Sequence, residues 1–426
     1  MKSKRKITKF TREKIILILL SVMLVFVLTS CGNDSIIPTD NSISTDETEV
    51  GDEKQGNEQN LDGESEGENG NEDGNEEGSE EGSEEGSEEE TEQEEKIKVK
   101  ALYLTGWTVG IPENVDKFID IAKDTEINSY VIDIKDDDGF VGYESQIPKV
   151  RELGTWKYKY DAKSVLKKFK DNGIHLIGRL VCFKDPQFSS KHPEWAVKMA
   201  DGSLYREING ATWIDPYRRE AWPYIIEIAK EAVELGFDEI QFDYVRFPND
   251  GNKSAMRFNN DGSEKYEIIN EFLAYAKKEL PDVVLSADVF GIILESPEDV
   301  EDIGQYLELI GKDIEYISPM VYPSHYAVGQ KVNGVQFMKP DLEPYEVVYQ
   351  SLVKGKERIG KVEGYKADMR PYLQAFTASW LESGYYQVYG VKQIKEQIKA
   401  VYDAGYEEWI FWDPANKYPK EAFYNE

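Results

Sequence analysis

The chain has only two cysteines and three histidines among its 426 residues, which excludes several kinds of site. Cys31 lies at a predicted signal-peptide cleavage site, so Cys182 has no partner for an intrachain disulfide. Because Cys182 stands near the end of an apolar stretch, we expect it to be a core residue. The histidines are scattered and no His-x-x-x-His or Cys-x-x-Cys pattern occurs, so we predict no metal site and no cofactor. The acidic turn at residues 136–138 leaves calcium binding open as an alternative.

The sequence also lacks the motifs of two large enzyme classes and the charge of a nucleic-acid-binding protein. No Gly-x-Gly-x-x-Gly loop follows a predicted strand, and no Gly-x-Ser-x-Gly elbow of a serine hydrolase occurs. From residue 96 onward about 55 acidic residues stand against 42 basic ones, whereas a nucleic-acid surface needs clustered Lys and Arg. Carboxylates are therefore the catalytic groups that the sequence makes available.

The N-terminus has the features of an exported lipoprotein. A basic start is followed by an apolar run from Ile15 to Leu28, which is shorter than the roughly 20 residues that span a bilayer. The residues Leu28-Thr29-Ser30-Cys31 resemble a bacterial lipobox, which implies cleavage before Cys31 and lipidation of this residue. We predict a signal peptide over residues 1–30 and a lipid anchor on the extracytoplasmic face of the cell membrane. An ordinary signal peptide with a chance cysteine is the alternative.

Residues 31–95 have a composition that cannot form a folded domain. Between Asp34 and Glu95 there are 26 acidic residues against the single lysine Lys54, so this segment carries 25 of the 32 net negative charges. We predict a disordered Glu/Gly/Ser-rich tether with a root-mean-square reach of roughly 40 to 50 Å. Binding of cations or cell-wall polymers by this acidic segment is an alternative role.

From residue 96 to 426, eight apolar stretches rich in β-forming residues alternate with amphipathic ones. This order predicts parallel βαβ units, and eight such units close into an α/β fold of the (β/α)8 TIM barrel type. An open doubly wound sheet is the alternative. The predicted strands are 101–107, 128–135, 174–183, 238–246, 283–290, 314–322, 371–377 and 408–413. The predicted helices are 112–123, 161–172, 216–235, 264–280, 297–310, 344–355 and 391–404.

The long loops follow strands and therefore lie at the C-terminal face of the barrel, where such folds hold their active sites. Alternation of side chains predicts that the charged residues Asp133, Arg179, Asp243 and Asp288 converge there. A structural ion pair, above all between Arg179 and Asp133, is the alternative for each of them. We predict further substrate contacts at Trp107, Arg246, Tyr322, His325, Gln374 and Trp412. The loop aromatics Trp195, Tyr205, Trp213 and Tyr326 fit a sugar-stacking cleft as a group, although each one alone is a better candidate for packing.

The stretch from Phe237 to Pro248 combines a buried strand with a carboxylate, an arginine and a proline. In an extended chain Gln241, Asp243 and Val245 share one face. A charged carboxylate in a buried strand costs several kcal/mol unless it is paired or solvated. Asp243 therefore indicates either an ion pair or catalysis.

Glycoside hydrolysis requires two carboxyl groups: an acid that protonates the leaving oxygen, and a carboxylate that attacks or activates water. Asp243 and Asp288 are predicted to end neighbouring strands, about 4.8 Å apart. This spacing suits the roughly 5 to 5.5 Å carboxyl separation of retaining enzymes. We expect Asp243, beside Arg246 or Arg179, to be the nucleophile and Asp288 to be the acid.

The sequence Gln-Phe-Asp-Tyr-Val-Arg-Phe-Pro at 241–248 resembles the signature of a bacterial family of glycoside hydrolase-like domains without a settled substrate. Matching stretches at 101–107, 128–135, 286–291 and 318–323 extend the resemblance over most of residues 98–420. The resemblance implies a TIM barrel, a sugar polymer as substrate, and carboxylates at the ends of strands four and five. These carboxylates correspond here to Asp243 and Asp288.

Together these observations predict a monomeric, surface-anchored glycoside hydrolase that acts on a cell-wall or environmental polysaccharide. The alternative is a non-catalytic glycan-binding or envelope-scaffold lipoprotein on a degenerate barrel. Exposure of Asp243 and Asp288 favours the enzyme, whereas burial in ion pairs favours the scaffold.

Overall fold

Apolar alternation along the chain produces eight parallel strands that close into a barrel. The computed structural model describes residues 97–424, so the predicted signal peptide, lipidation at Cys31 and tether lie outside the described residues. The barrel strands are β1 Lys100–Leu104, β2 Ser129–Lys135, β3 His175–Val181, β4 Glu239–Asp243, β5 Val284–Phe290, β6 Tyr316–Met320, β7 Tyr372–Gln374 and β8 Trp409–Trp412. Each strand pairs in parallel with the next, and β8 pairs with β1. The predicted closed α/β barrel is confirmed, and the open sheet is excluded.

Helices follow most of the strands and cover the outside of the barrel. Asp161 begins one of them, because its carboxylate accepts a hydrogen bond from the backbone N–H of Ser164 at 3.0 Å. Leu166 and Phe169 of that helix are buried. The α-helices are Gly106–Val109, Pro112–Asp124, Pro148–Leu153, Ala162–Lys170, Pro186–Lys191, Trp222–Leu235, Lys265–Glu279, Leu307–Ile310, Pro344–Ile359 and Val391–Asp403.

The loops carry short elements that the sequence did not predict. Two antiparallel strand pairs join Lys198–Met199 to Met256–Arg257 and Gln330–Val332 to Val335–Phe337, and Asp368–Met369 pairs with β6. The 3-10 helices are Pro193–Trp195, Arg219–Ala221, Lys253–Ala255, Gly291–Leu294, Pro323–His325, Pro340–Leu342 and Lys420–Phe423. None of the helices between residues 97 and 424 combines the length and apolar character needed to cross a membrane.

The predicted helix at 297–310 is wrong except for its last turn. Glu298 and Asp302 adopt positive φ angles of 52° and 58°, which a right-handed helix cannot contain. The Asp299 carboxylate instead accepts hydrogen bonds from the backbone N–H groups of Ile303 and Gly304, at 3.0 and 2.8 Å. A side chain that satisfies these amides competes with helix formation, so only Leu307–Ile310 is helical.

The inside of the barrel is polar at its N-terminal end. Arg370 donates two hydrogen bonds of 2.9 Å to Glu239 and one of 2.8 Å to Glu408. One layer further up, the Tyr372 hydroxyl donates to the amide oxygen of Gln241 at 2.6 Å. These hydrogen-bonded polar groups fill the barrel floor.

Candidate active site

Three charged residues predicted to converge form one network at the barrel mouth. Arg179 donates to Asp243 Oδ2 through Nε at 2.8 Å and through Nη2 at 2.6 Å, and to Asp133 Oδ1 through Nη1 at 2.7 Å. The Tyr103 hydroxyl donates to Asp133 Oδ2 at 2.7 Å. Burial raises the pKa of Asp133 to about 6, although the charge of Arg179 opposes this shift. Arg179 therefore holds two carboxylates from strands β2 and β4 in fixed positions.

Strand β4 ends at Asp243 because the next residue leaves the extended conformation. Tyr244 has a φ of 48°, in the left-handed region that a side chain disfavours. Its backbone N–H donates to Asp243 Oδ1 at 2.6 Å. The predicted extension of this strand to residue 246, and the shared face of Asp243 and Val245, are therefore wrong. The strained turn fixes the carboxylate of Asp243 at the rim of the strand, as strain at functional sites often does.

Asp288 lies on the neighbouring strand and has a different environment. The pairing of Phe242 with Ala287 puts Asp243 and Asp288 one residue further along on adjacent strands. Asp288 is 2% exposed, and its Oδ1 atom has no hydrogen-bond partner among residues 97–424. Burial, and then the negative charge of Asp243, raise the pKa of Asp288 well above its ordinary value of 3.8. The two carboxyl groups of the mouth thus have contrasting surroundings, one bound by a guanidinium and the other without a cation bonded to it among the described residues.

An aromatic wall formed by Tyr322, Phe376, Trp380 and Trp412 lines the mouth on the side of strands β6 to β8. The Tyr322 and Trp412 rings are stacked with centroids 5.9 Å apart, and those of Phe376 and Trp380 are stacked at 5.7 Å. Trp380 and Trp412 are both partly exposed. The exposed ring of His325 stands 5.2 Å from that of Tyr322. Flat, partly exposed rings of this kind offer apolar faces to a ligand.

The sequence prediction missed Tyr103, Phe376 and Trp380. Tyr103 alternates with Ala101 on the inner face of β1, so side-chain periodicity was a usable signal for it. Phe376 and Trp380 follow β7 closely, at the face where a barrel holds its site. Their position after a strand was therefore the signal that could have found them.

Two of the predicted substrate contacts, Gln374 and Trp107, belong neither to the charged network nor to the aromatic wall. Gln374 is fully buried, and its amide contacts the backbone N–H of Ser324 at 3.1 Å, Asp341 Oδ1 at 2.9 Å and the carbonyl of Phe376 at 3.0 Å. Its amide thus joins the loops after β6 and β7. Trp107 lies in the helix Gly106–Val109 rather than in β1, is 52% exposed and lies 5.1 Å from the Nζ atom of Lys157.

Arg246 does not hold Asp243, which is bound by Arg179 instead. Its guanidinium stacks on three rings, with Cζ 4.9 Å from the ring centre of Trp213, 5.1 Å from Tyr244 and 4.6 Å from Phe290. Trp213 is fully buried and packs in the core, as expected for a loop aromatic considered on its own. Cys182 is buried and unpaired, so the prediction of a core residue is confirmed.

The acidic turn at 136–138 is balanced by lysines. Asp136 pairs with Lys159, and Asp137 Oδ2 lies 3.5 Å from Nζ of Lys184. Nowhere in the described part of the chain do three or more His, Cys, Asp or Glu side chains gather as a metal site would require. The geometry at the barrel mouth favours acid–base chemistry by carboxyl groups.

The chain is similar to one known protein family and to several solved structures. Residues 101–418 match the profile of the family described as "Putative glycosyl hydrolase domain". A hypothetical protein from Ruminiclostridium thermocellum is 65% identical, with 44% of this chain and 97% of that chain covered and a TM-score of 0.43. The PgaB (BpsB) glycoside hydrolase domain from Bordetella bronchiseptica is 13% identical, with 78% and 99% covered and a TM-score of 0.55, which shows a shared fold. No curated protein matches the chain.

Proposed function

The chain belongs to the putative glycosyl hydrolase family, and we propose from this that it cleaves glycosidic bonds with Asp243 and Asp288 as its carboxyl pair. The observation that carries the proposal is the contrast between the two groups. Asp243 accepts two hydrogen bonds from the Arg179 guanidinium, whereas Asp288 has no cation bonded to it. Such a contrast separates a nucleophile from an acid.

Asp288 is the proposed general acid. Burial and the neighbouring charge of Asp243 raise the pKa of Asp288, which favours the protonated form that a general acid requires. The proton passes to the glycosidic oxygen as the bond to the anomeric carbon breaks. The resulting Asp288 carboxylate can then take a proton from the incoming water.

Asp243 is the proposed nucleophile of a retaining reaction. Its carboxylate forms a bond with the anomeric carbon as the leaving sugar departs, and water then breaks that bond in the second step. Adjacent strands about 4.8 Å apart support the short carboxyl separation that retention needs. The hydrogen bonds from Arg179 and Tyr244 hold the attacking oxygens in place.

The proposed substrate is a polysaccharide of the cell wall or the surroundings. The partly exposed rings of Trp380 and Trp412 supply surfaces on which pyranose faces can stack. The predicted lipid anchor at Cys31 would hold the enzyme at the outer side of the membrane, with the segment 31–95 as a spacer.

Hydrolysis by variants of the full chain tests the assignment. On a panel of labelled oligosaccharides, Asp243→Asn should lower turnover by at least about 1000-fold, within the range of an essential catalytic group. The matched control is Asp282→Asn, at an exposed position just before β5, which should keep full turnover. Both variants should unfold at temperatures close to that of the wild type.

Azide provides a second test that does not depend on the stability of one variant. With Asp243→Ala, azide should restore bond cleavage and give a glycosyl azide of inverted anomeric configuration, because the small anion replaces the lost nucleophile. Wild-type turnover should retain the anomeric configuration when products are followed by NMR. Full turnover by Asp243→Asn, or an inverted wild-type product, would contradict the proposed role.

A non-catalytic glycan-binding protein is the second candidate, and the low exposure of the pair favours it. Asp243 is 8% exposed and Asp288 is 2% exposed, and Asp243 is ion-paired. Under this alternative, the panel would show saturable binding without turnover. Asp243→Asn would then change affinity only modestly.

A further inference from the structure

Arg246 is a buried cation that acts on the nearby carboxylate of Asp250 without forming a direct ion pair, and this distinguishes it from the other cations around the mouth. It is 5% exposed, and no carboxylate within the described range forms an ion pair with it. Lys184, which stands on the same Tyr244 ring at 4.8 Å, pairs with Glu207 at 3.2 Å and with Asp137. Burying a guanidinium costs several kcal/mol unless an anion compensates it.

Only one edge of the Arg246 guanidinium is engaged by the protein. Nη1 donates to the carbonyl of Phe247 at 3.0 Å and to Asn249 Oδ1 at 3.2 Å. Nε and Nη2 make no hydrogen bond to any residue of the described chain, yet neither is sealed from solvent. The rings of Trp213, Tyr244 and Phe290 fix the plane of the group. An immobilised guanidinium with a free N–H pair matches the two oxygens of a carboxylate.

The position of Arg246 connects it with the proposed catalytic pair. Phe290 follows Asp288 by two residues in β5, so both side chains share one face of the strand, about 7 Å apart along it. Tyr244 directly follows Asp243. Arg246 therefore lies on the β4–β5 side of the mouth, beside Phe290 at the end of β5, whereas the aromatic wall lies on the side of strands β6 to β8.

We propose that Arg246 binds a carboxylate carried by a sugar next to the cleaved bond, so that the enzyme prefers acidic glycans such as uronic acid or lactyl-ether polymers. This inference rests on the proposed function for the position of the cleaved bond. The single free edge suits one singly charged carboxylate. Burial and the charge of Glu207 raise the pKa of Asp250, whereas the charge of Arg246 lowers it, so the carboxylates close to Arg246 disfavour a doubly charged phosphate.

Matched pairs of oligosaccharides test the preference by calorimetric binding to the full chain in detergent. One pair is a galacturonic acid hexamer and its methyl ester. The other is a strand of N-acetylglucosamine and N-acetylmuramic acid with either free lactyl carboxylates or their methyl amides. The wild type should bind the free acid of at least one pair about 10- to 100-fold more tightly, as hydrogen bonds to a charged group imply.

Variants at Arg246 show whether this residue causes the preference. Arg246→Gln should make the affinities for the acidic and the neutral ligand equal. Arg246→Lys keeps the positive charge but lacks the paired N–H groups of the guanidinium, so it should keep part of the preference for the acid. Arg257→Gln, which makes the same change in net charge at an exposed site in the neighbouring loop, should keep the wild-type ratio. Arg246→Lys still provides a test if the glutamine variant fails to fold.

Two results would overturn the inference. One is a wild type that binds neither free acid more tightly than its neutral counterpart, including a wild type that binds neither form. The other is an Arg246→Gln variant that folds and keeps the full ratio. Because affinity is measured without turnover, a failure of the proposed hydrolysis would be seen separately, in the Asp243→Asn and azide experiments.

Discussion

The proton on Asp288 can be detected by its effect on stability, independently of any substrate. The variant Asp288→Asn replaces a buried carboxyl group by an amide of the same shape. Burial and the charge of Asp243 raise the pKa of Asp288 above 3.8 in the folded chain, whereas in the unfolded chain it returns to this ordinary value. Above pH 3.8 the unfolded state therefore releases a proton that the folded state retains.

The sign and size of the effect follow from this difference of one proton. The free energy of unfolding of the wild type contains a term that falls by about 1.4 kcal/mol for each pH unit above the unfolded pKa, until the folded pKa is reached. The asparagine variant lacks this term. Its stability relative to the wild type should therefore rise by about 2.7 kcal/mol over two pH units within that window.

Urea unfolding of both proteins at pH 5, 6 and 7, followed by tryptophan fluorescence, measures the effect. All other titrating groups are common to the two proteins and largely cancel in the difference. Asp282→Asn, at an exposed position, should show no such trend. A constant difference between Asp288→Asn and the wild type over this range would refute a retained proton. Asp288 could then not act as the general acid at neutral pH.

Substitutions at three further positions test the interactions that hold the site together and bind the sugar. Arg179→Met leaves the buried carboxylates Asp133 and Asp243 without their cation and should lower the free energy of unfolding by about 3 to 5 kcal/mol in urea unfolding at pH 7. Tyr244→Gly should be more stable than Tyr244→Ala by about 1 kcal/mol, the reverse of the usual order, because only glycine adopts a φ of 48° without strain. Trp412→Ala should raise KM by about tenfold in steady-state assays while kcat falls less, if its ring binds sugar by stacking. An equal stability of the two Tyr244 variants, an unchanged KM or a small effect at Arg179 would contradict these arguments.

The barrel could be predicted from the sequence because its strands are short, apolar and separated by helices of strong amphipathic pattern. The predicted second strand, 128–135, and the observed Ser129–Lys135 differ by one residue. Boundaries failed where a side chain or a dihedral angle replaced the regular hydrogen bonds. Asp299 ended a predicted helix in this way, and Tyr244 ended β4 three residues early. Single residues of this kind do not alter hydrophobic periodicity, so periodicity cannot reveal them.

Side-chain alternation also predicted that charges from strands β2 to β5 meet, but it could not assign their partners. Arg246 and Arg179 were equal candidates for the cation beside Asp243, since one is close in sequence and the other is predicted to face it. Alternation carries Arg179 into the mouth, where it bonds Asp243 directly. The left-handed turn at Tyr244 directs the following chain away from the strand and leaves Arg246 among aromatic rings.

The same turn explains how one short segment can serve two tasks at the mouth. If residues 243–246 continued as a strand, alternation would place Asp243 and Val245 on the inner face and turn Arg246 outward among the helices. The positive φ at Tyr244 breaks that alternation, and the guanidinium of Arg246 instead lies 4.6 Å from the ring centre of Phe290 at the end of β5. The strain at Tyr244 is therefore the physical link between the proposed nucleophile and the proposed carboxylate-binding residue. A change that relaxes this turn should disturb both bond cleavage and the preference for acidic ligands.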